Sequence, residues 1–224
     1  MKEQSVFDII GPNMIGPSSS HTAGALKISL LAGKLVKGKI IAVKFILYGS
    51  FAATYKGHGT DRALVGGILG FATDDPRIKE SFSYAQKAGI EFSFEPNTEI
   101  KGLHPNTVDV IINTDKKDEG TTIVRGESIG GGAAVIRQLN GVDIKLSGEY
   151  STLLVRQKDT PGVLAHITLA FAKENVNIAF TRMYREEKGT IAYTIIEADG
   201  DIPQAVIADI EQSTSIYSTV LIQI

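Results

Sequence analysis

"TPGVLAHITLAFAKEN", residues 160–175, is the stretch on which the fold turns. Pro161 suits the first turn of a helix, where its missing N–H is no loss, and the sequence predicts a helix here. Before it, "YSTLLVRQ" (150–157) predicts a strand. After it, "VNIAFTRMYREE" (176–187) and "GTIAYTIIEAD" (189–199) predict two strands around a turn. "IPQAVIADIEQS" (202–213) then reads as a helix and "IYSTVLIQI" (216–224) as a last strand. The order is βαββαβ, a ferredoxin-like split pattern, for which roughly seventy-five residues suffice.

Upstream, "KLSGEYS" (145–151) is a short polar link, so the chain is expected to divide into domains of residues 1–146 and 150–224. In the first, Ala25, Leu26, Ile28, Leu30, Leu31 and Leu35 recur at mostly helical spacing and predict a core-facing helix from Ala23 to about Lys37. "KIIAVKFILYGS" (39–50) predicts a strand, and a Gly-rich helical region is expected from about Phe51 to Phe71. "TDDPRIKESFSYAQKAG" (73–89) opens on Asp/Pro and ends on glycine, which predicts a further helix. Three strand candidates follow: "IEFSFEP" (90–96), "TVDVIINTD" (107–115) and "GTTIVRGESI" (120–129). The fold class is α+β throughout.

Composition excludes several functions. A net charge of −2, from 23 basic and 25 acidic residues without long like-sign runs, leaves no footprint for nucleic acid or an anionic membrane. The opening "MKEQSVFDIIGP" lacks the sustained apolar stretch of a signal peptide, and no run reaches the roughly twenty apolar residues that span a bilayer, so a cytoplasmic location is expected. With no cysteine, the chain has no thiolate to act as nucleophile or cluster ligand, and no metal site is expected on it.

Chemistry concentrates in two motifs. In "GPSSSHTAGA" (16–25), Ser18, Ser19, Ser20 and Thr22 supply hydroxyls, the start of a helix supplies backbone N–H groups, and His21 donates a proton or accepts one near neutral pH. The set suits capture of a carboxylate. One serine, Ser20 by its place, is expected to cap the helix. In "KGHGTDRA" (56–63), Gly57 and Gly59 allow a sharp exposed turn around His58, Thr60 or Asp61 caps the next helix, and Asp61 is placed to orient His58 or accept from an ammonium group. His104, in "GLHPNT", reads first as loop structure, and His166 as a packing or partner residue. "GESIGGGAAVI" (126–136) lacks a P-loop's Lys-Ser/Thr ending, which argues against nucleotide binding; Gly130 to Gly132 read as a backbone turn near the motif-bearing helices.

The C-terminal unit resembles an ACT domain, on "DTPGVLAHI" (159–167) and "NVNIAFTRMYR" (175–185). Its turn, Asp159, Pro161, Gly162 and Val163, is the expected ligand or interface site, since exposed N–H groups at a helix start hold carboxylates. "GPSSSHTAGA", "YGSFAATYKGHGTDRALVGGILGF" (48–71) and "GGGAAVI" (130–136) resemble the β chain of bacterial iron–sulfur L-serine dehydratases, a domain type similar to the allosteric substrate-binding domain of some D-3-phosphoglycerate dehydrogenases.

That resemblance implies conversion of L-serine to pyruvate and ammonia without pyridoxal phosphate. It also implies an α-chain partner that carries a 4Fe-4S cluster with one iron open to substrate, acting as a Lewis acid on the serine hydroxyl. It makes His21, His58 and Asp61 the catalytic candidates, Ser18, Ser19, Ser20, Thr22, Gly57, Gly59 and Thr60 the substrate-binding ones, and self-association through ACT domains an expectation. A noncatalytic serine-sensing subunit is the rival reading, because carboxylate-binding groups serve sensors as well as enzymes. A stand-alone Ser/His hydrolase is disfavoured, since no G-x-S-x-G elbow occurs.

Overall fold

The computed structural model describes residues 13–116 and 120–223, and the opening stretch read above as lacking a signal peptide's apolar run, residues 1–12, lies outside them. The chain separates into two compact units at Gly141/Val142.

In the first unit a wide π-type turn (Ser19–Gly24) runs into helix α1 (Ala25–Lys34). Strand β1 (Ile40–Tyr48), helix α2 (Gly49–Thr54) and helix α3 (Thr60–Ile68) follow, then a 3-10 turn (Pro76–Glu80) and α4 (Ser81–Lys87). Strands β2 (Glu91–Asn97), β3 (Thr107–Thr114), β4 (Thr122–Gly130) and β5 (Ala133–Leu139) come next, and β6 (Val142–Leu146) begins just past the Gly141/Val142 division. Within the first unit the sheet order is β2-β1-β3-β4-β5. β1 pairs parallel with β2 and antiparallel with β3. Alternation along β1 sends Val43, Phe45 and Leu47 into the core, where Leu26, Ile28, Leu31 and Leu64 of α1 and α3 are also buried.

Two differences from the sequence expectation have local causes. The Gly-rich helix is two helices, because Tyr55–Gly59 form a turn in which Gly59 takes a left-handed φ of 67°. Two strands, β5 and β6, follow the three expected, and Gly130–Gly132, all at positive φ, are the turn that feeds β5. The β5–β6 connection is Asn140-Gly141, with φ of 51° and 84°, the dipeptide that two-residue hairpins favour.

A buried polar network fixes the end of β1. Tyr48 donates to Asp109 Oδ2 at 2.8 Å, and Arg125 grips the same carboxylate with Nε at 2.6 Å and Nη2 at 2.7 Å. Burial, followed by the Asp109 hydrogen bond, raises the Tyr48 hydroxyl pKa, so it stays a neutral donor. This network immediately precedes Gly49 and Ser50.

In the second unit, β7 (Ser151–Lys158), α5 (Val163–Lys173), β8 (Ile178–Glu187), β9 (Ile191–Ala198), α6 (Gln204–Ile210) and β10 (Ile216–Ile222) realise the βαββαβ order. The sheet runs β10-β7-β9-β8. Leu153, Val155, Ile167, Phe171, Ile196 and Ile210 form its core between sheet and helices. No helix among the described residues is long and apolar enough to cross a membrane.

Candidate functional site

The helix following "GPSSS" starts earlier than its apolar pattern shows. Ser18, and not Ser20, is the N-cap: its side chain accepts the His21 backbone N–H at 3.1 Å, and Thr22 N–H donates to Ser18 O at 2.8 Å. The π turn adds chain before the regular helix, which moves the cap back; such turns recur at functional sites. Tight packing holds it. A Cβ on Gly16 would meet Thr22 Oγ1 at 2.7 Å, and one on Gly24 would collide with Ser128 Oγ.

Ser19 and Ser20 open this turn, half-buried beside His21. The imidazole of His21 lies between two hydroxyls, with Nε2 2.8 Å from Ser50 Oγ and Nδ1 3.4 Å from Ser18 Oγ. His58 sits next to it, ring centroids 5.0 Å apart at a 35° tilt, and Phe51 presents an edge contact at 5.4 Å. Thr22 locks the two motifs together by donating its hydroxyl to the His58 carbonyl at 3.1 Å. Burial, and then the neighbouring His58, push the His21 pKa below its ordinary 6.5, so the ring is neutral and able to accept a proton near pH 7.

Polar atoms without protein partners mark the same region: His58 Nδ1, Thr60 Oγ1 and Ser128 Oγ are buried and make no hydrogen bond. Buried polar groups are nearly always satisfied in native proteins, so unsatisfied ones beside two histidines fit a place where a polar ligand completes the bonding. Asp61 stands apart. It accepts from the Arg62 backbone N–H at 2.8 Å, and no hydrogen bond joins it to His58 among the described residues; burial raises its pKa. Gly59 is the left-handed residue before α3, Thr60 is the first residue of that helix, and Gly57 is exposed in the turn.

Ser50 is the site residue that sequence reading missed. Its signal was position, a hydroxyl just past the carboxyl end of a strand with a parallel neighbour, where α/β proteins gather ligand-binding groups. Elsewhere, His104 Nδ1 accepts from Asn106 N–H at 3.2 Å within its own turn, and His166 Nε2 meets Ile210 O at 3.1 Å across α5 and α6.

The second unit carries a separate cavity of about 380 Å³ lined by Asp159, Thr160, Pro161, Gly162, Met183 and Arg185. Gly162, at φ 88°, caps α5, and Asp159 is held by Arg185 at 3.0 Å and by Gly189 N–H at 2.8 Å. Val163 belongs to the core and not to the cavity wall.

Neither site suits an iron–sulfur cluster held by this chain. It has no cysteine, and no group of three His, Cys, Asp or Glu side chains among the described residues could hold a metal.

Fold and site together define a two-domain α+β chain with a hydroxyl-and-imidazole constellation in its first unit and an ACT domain as its second. Family comparison agrees on both: residues 5–139 match the serine dehydratase beta chain model and residues 151–213 the ACT domain model. The L-serine dehydratase, beta chain, of Peptoniphilus asaccharolyticus is 42% identical over 205 residues, covering 92% of this chain and 91% of that one. A probable L-serine dehydratase, beta chain, of Bacillus subtilis (strain 168) is 41% identical over 216 residues, 96% of each. The L-serine dehydratase 2 of Escherichia coli (strain K12) matches at 41% over 88 residues, which is 37% of this chain and 19% of that protein. The chain belongs to the serine dehydratase beta chain family.

Proposed function

We propose that the chain is the β subunit of a heteromeric L-serine dehydratase of the cytoplasm, completing an active site whose 4Fe-4S cluster belongs to an α chain. The observation that carries this reading is the His21 ring 5.0 Å from that of His58, at a 35° tilt, with a serine hydroxyl 2.8 Å from its Nε2. The reaction removes a proton from Cα and hydroxide from Cβ of serine; the resulting aminoacrylate tautomerises and hydrolyses to pyruvate and ammonia. This chain's share is recognition and proton handling. The Ser19 and Ser20 hydroxyls and the N–H groups of the π turn receive the substrate carboxylate, and a neutral imidazole of the His21/His58 pair accepts the α-proton. The cluster would supply the Lewis acid for the leaving hydroxide from the partner, a division of labour that fits a chain without cysteine.

The test is pyruvate formation from L-serine under anaerobic conditions, with this chain alone, the reconstituted α chain alone, and the mixture. Activity only in the mixture is expected. Full activity from the α chain alone, with this chain altering only its serine dependence, would replace the reading with a regulatory one. That second reading is favoured by one observation, the cavity at Asp159–Gly162, whose size accommodates an amino acid.

A pH dependence follows from the lowered His21 pKa. A base works only when unprotonated, so the acid limb of kcat/KM should have its midpoint below 6.5, the ordinary histidine value. Protonation of His21 is also disfavoured by the fold. The unfolded chain binds that proton first as pH falls below 6.5, so His21's contribution to stability declines with acidification through that window and not above it. An acid limb centred above 6.5 would remove His21 as the titrating base.

A further inference from the structure

We propose that Ser50 is a positioning residue that holds His21 in the tautomer with its proton on Nε2, leaving the Nδ1 lone pair as the one that takes the substrate proton. The catalytic meaning rests on the functional reading above; the tautomer is a property of the chain itself.

The assignment follows from counting donors. Ser18 Oγ accepts the His21 backbone N–H at 3.1 Å, so a proton on Nδ1 would make it accept twice and turn its own proton away, whereas donating its hydroxyl to Nδ1 at 3.4 Å uses both its capacities. A neutral imidazole has one donor nitrogen and one acceptor. With Nδ1 accepting, Nε2 carries the hydrogen, and its partner at 2.8 Å is Ser50 Oγ, which accepts. The two contacts differ in strength. At 2.8 Å the Ser50 bond fixes the ring, whereas at 3.4 Å the Ser18 hydroxyl is loosely held and readily displaced by a substrate.

Ser50 is well placed to impose this choice because its own backbone is over-determined. Its N–H donates to Pro105 O at 2.7 Å, and the preceding Gly49 sits at φ 53°, where a Cβ would meet Pro105 O at 2.7 Å. One residue earlier, Tyr48 is tied to Asp109. The hydroxyl is thus delivered from a rigid strand end, while Phe51 and His58 confine the His21 ring from other directions.

The experiment has two arms. The full-length chain, labelled with ¹⁵N in its histidine rings, is examined by NMR at neutral pH as wild type, Ser50→Ala and Ser50→Thr, with His21 signals assigned by a His21→Gln variant. Wild type and Ser50→Thr should show the Nε2–H tautomer at His21, and Ser50→Ala a mixture. In the complex with the α chain, Ser50→Ala should lower kcat about tenfold with KM little changed, and Ser50→Thr should restore most of it. An Nδ1–H tautomer in wild type, or an unaltered Nε2–H tautomer in Ser50→Ala, would overturn the proposal, as would wild-type kcat in Ser50→Ala. A wild-type mixture that makes no pyruvate would instead sink the functional reading, and the NMR arm, which needs no partner, would still decide the role of Ser50.

Discussion

Replacing His21 or His58 by alanine should lower serine turnover of the reconstituted complex by about a hundredfold or more, with the fold intact. General acid–base assistance contributes about 10²–10⁴ in rate, and these two rings lie 5.0 Å apart beside the hydroxyls assigned to substrate. Neither truncation threatens the architecture. The His58 contact that joins the motifs is made by its carbonyl, which alanine keeps, and Ser18 caps the His21 backbone N–H, which alanine also keeps.

The double variant is the more telling measurement. Groups that act as one proton-handling unit lose little more together than the worse of them loses alone. The His21→Ala/His58→Ala complex should therefore fall near the weaker single variant and not to the product of the two losses. Near wild-type turnover in both single variants would empty the pocket of catalytic function and leave a sensor of serine.

The ACT unit was legible almost residue by residue because its signals are local: strand runs rich in β-branched and apolar residues, and Pro161 and Gly162, which stand just ahead of α5 where the sequence expected Pro161 inside its first turn. The polar "RQLNGVDIKL" obscured β5 and β6, although Asn140-Gly141 carried a hairpin signal that went unread. The pairing of His21 with His58 came from motif chemistry, but its geometry did not. The π turn exists because Gly24 lets the chain press against Ser128 of β4, roughly a hundred residues away, a tertiary cause that no window of sequence displays. Ser50 stayed hidden for the same reason: its role depends on which strand end it occupies.

Gly67→Ala should destabilise the first domain by about 2–3 kcal/mol, despite alanine's better helix propensity. α1 and α3 cross in close backbone contact at this glycine. An added Cβ would collide with Ser29 Oγ and the Leu26 carbonyl and stand 2.8 Å from the Leu30 nitrogen. Two of those atoms are backbone and cannot turn aside, so the helices must separate, and forced overpacking costs about 1–3 kcal/mol before any loss at neighbouring contacts. Propensity alone would favour alanine by about 1 kcal/mol.

Gly33, in α1, is the matched control: a Cβ there has ordinary contacts, the nearest being Ile40 Cδ1 at 3.8 Å. Gly33→Ala should be neutral or stabilising by up to about 1 kcal/mol. Hydrogen exchange of peptides covering α1 and α3, read across a urea series, isolates the first domain from the second. Opposite shifts for the two substitutions are expected. If Gly67→Ala instead matched Gly33→Ala, the close crossing of α1 and α3, and with it the support beneath the His21 turn, would be wrong.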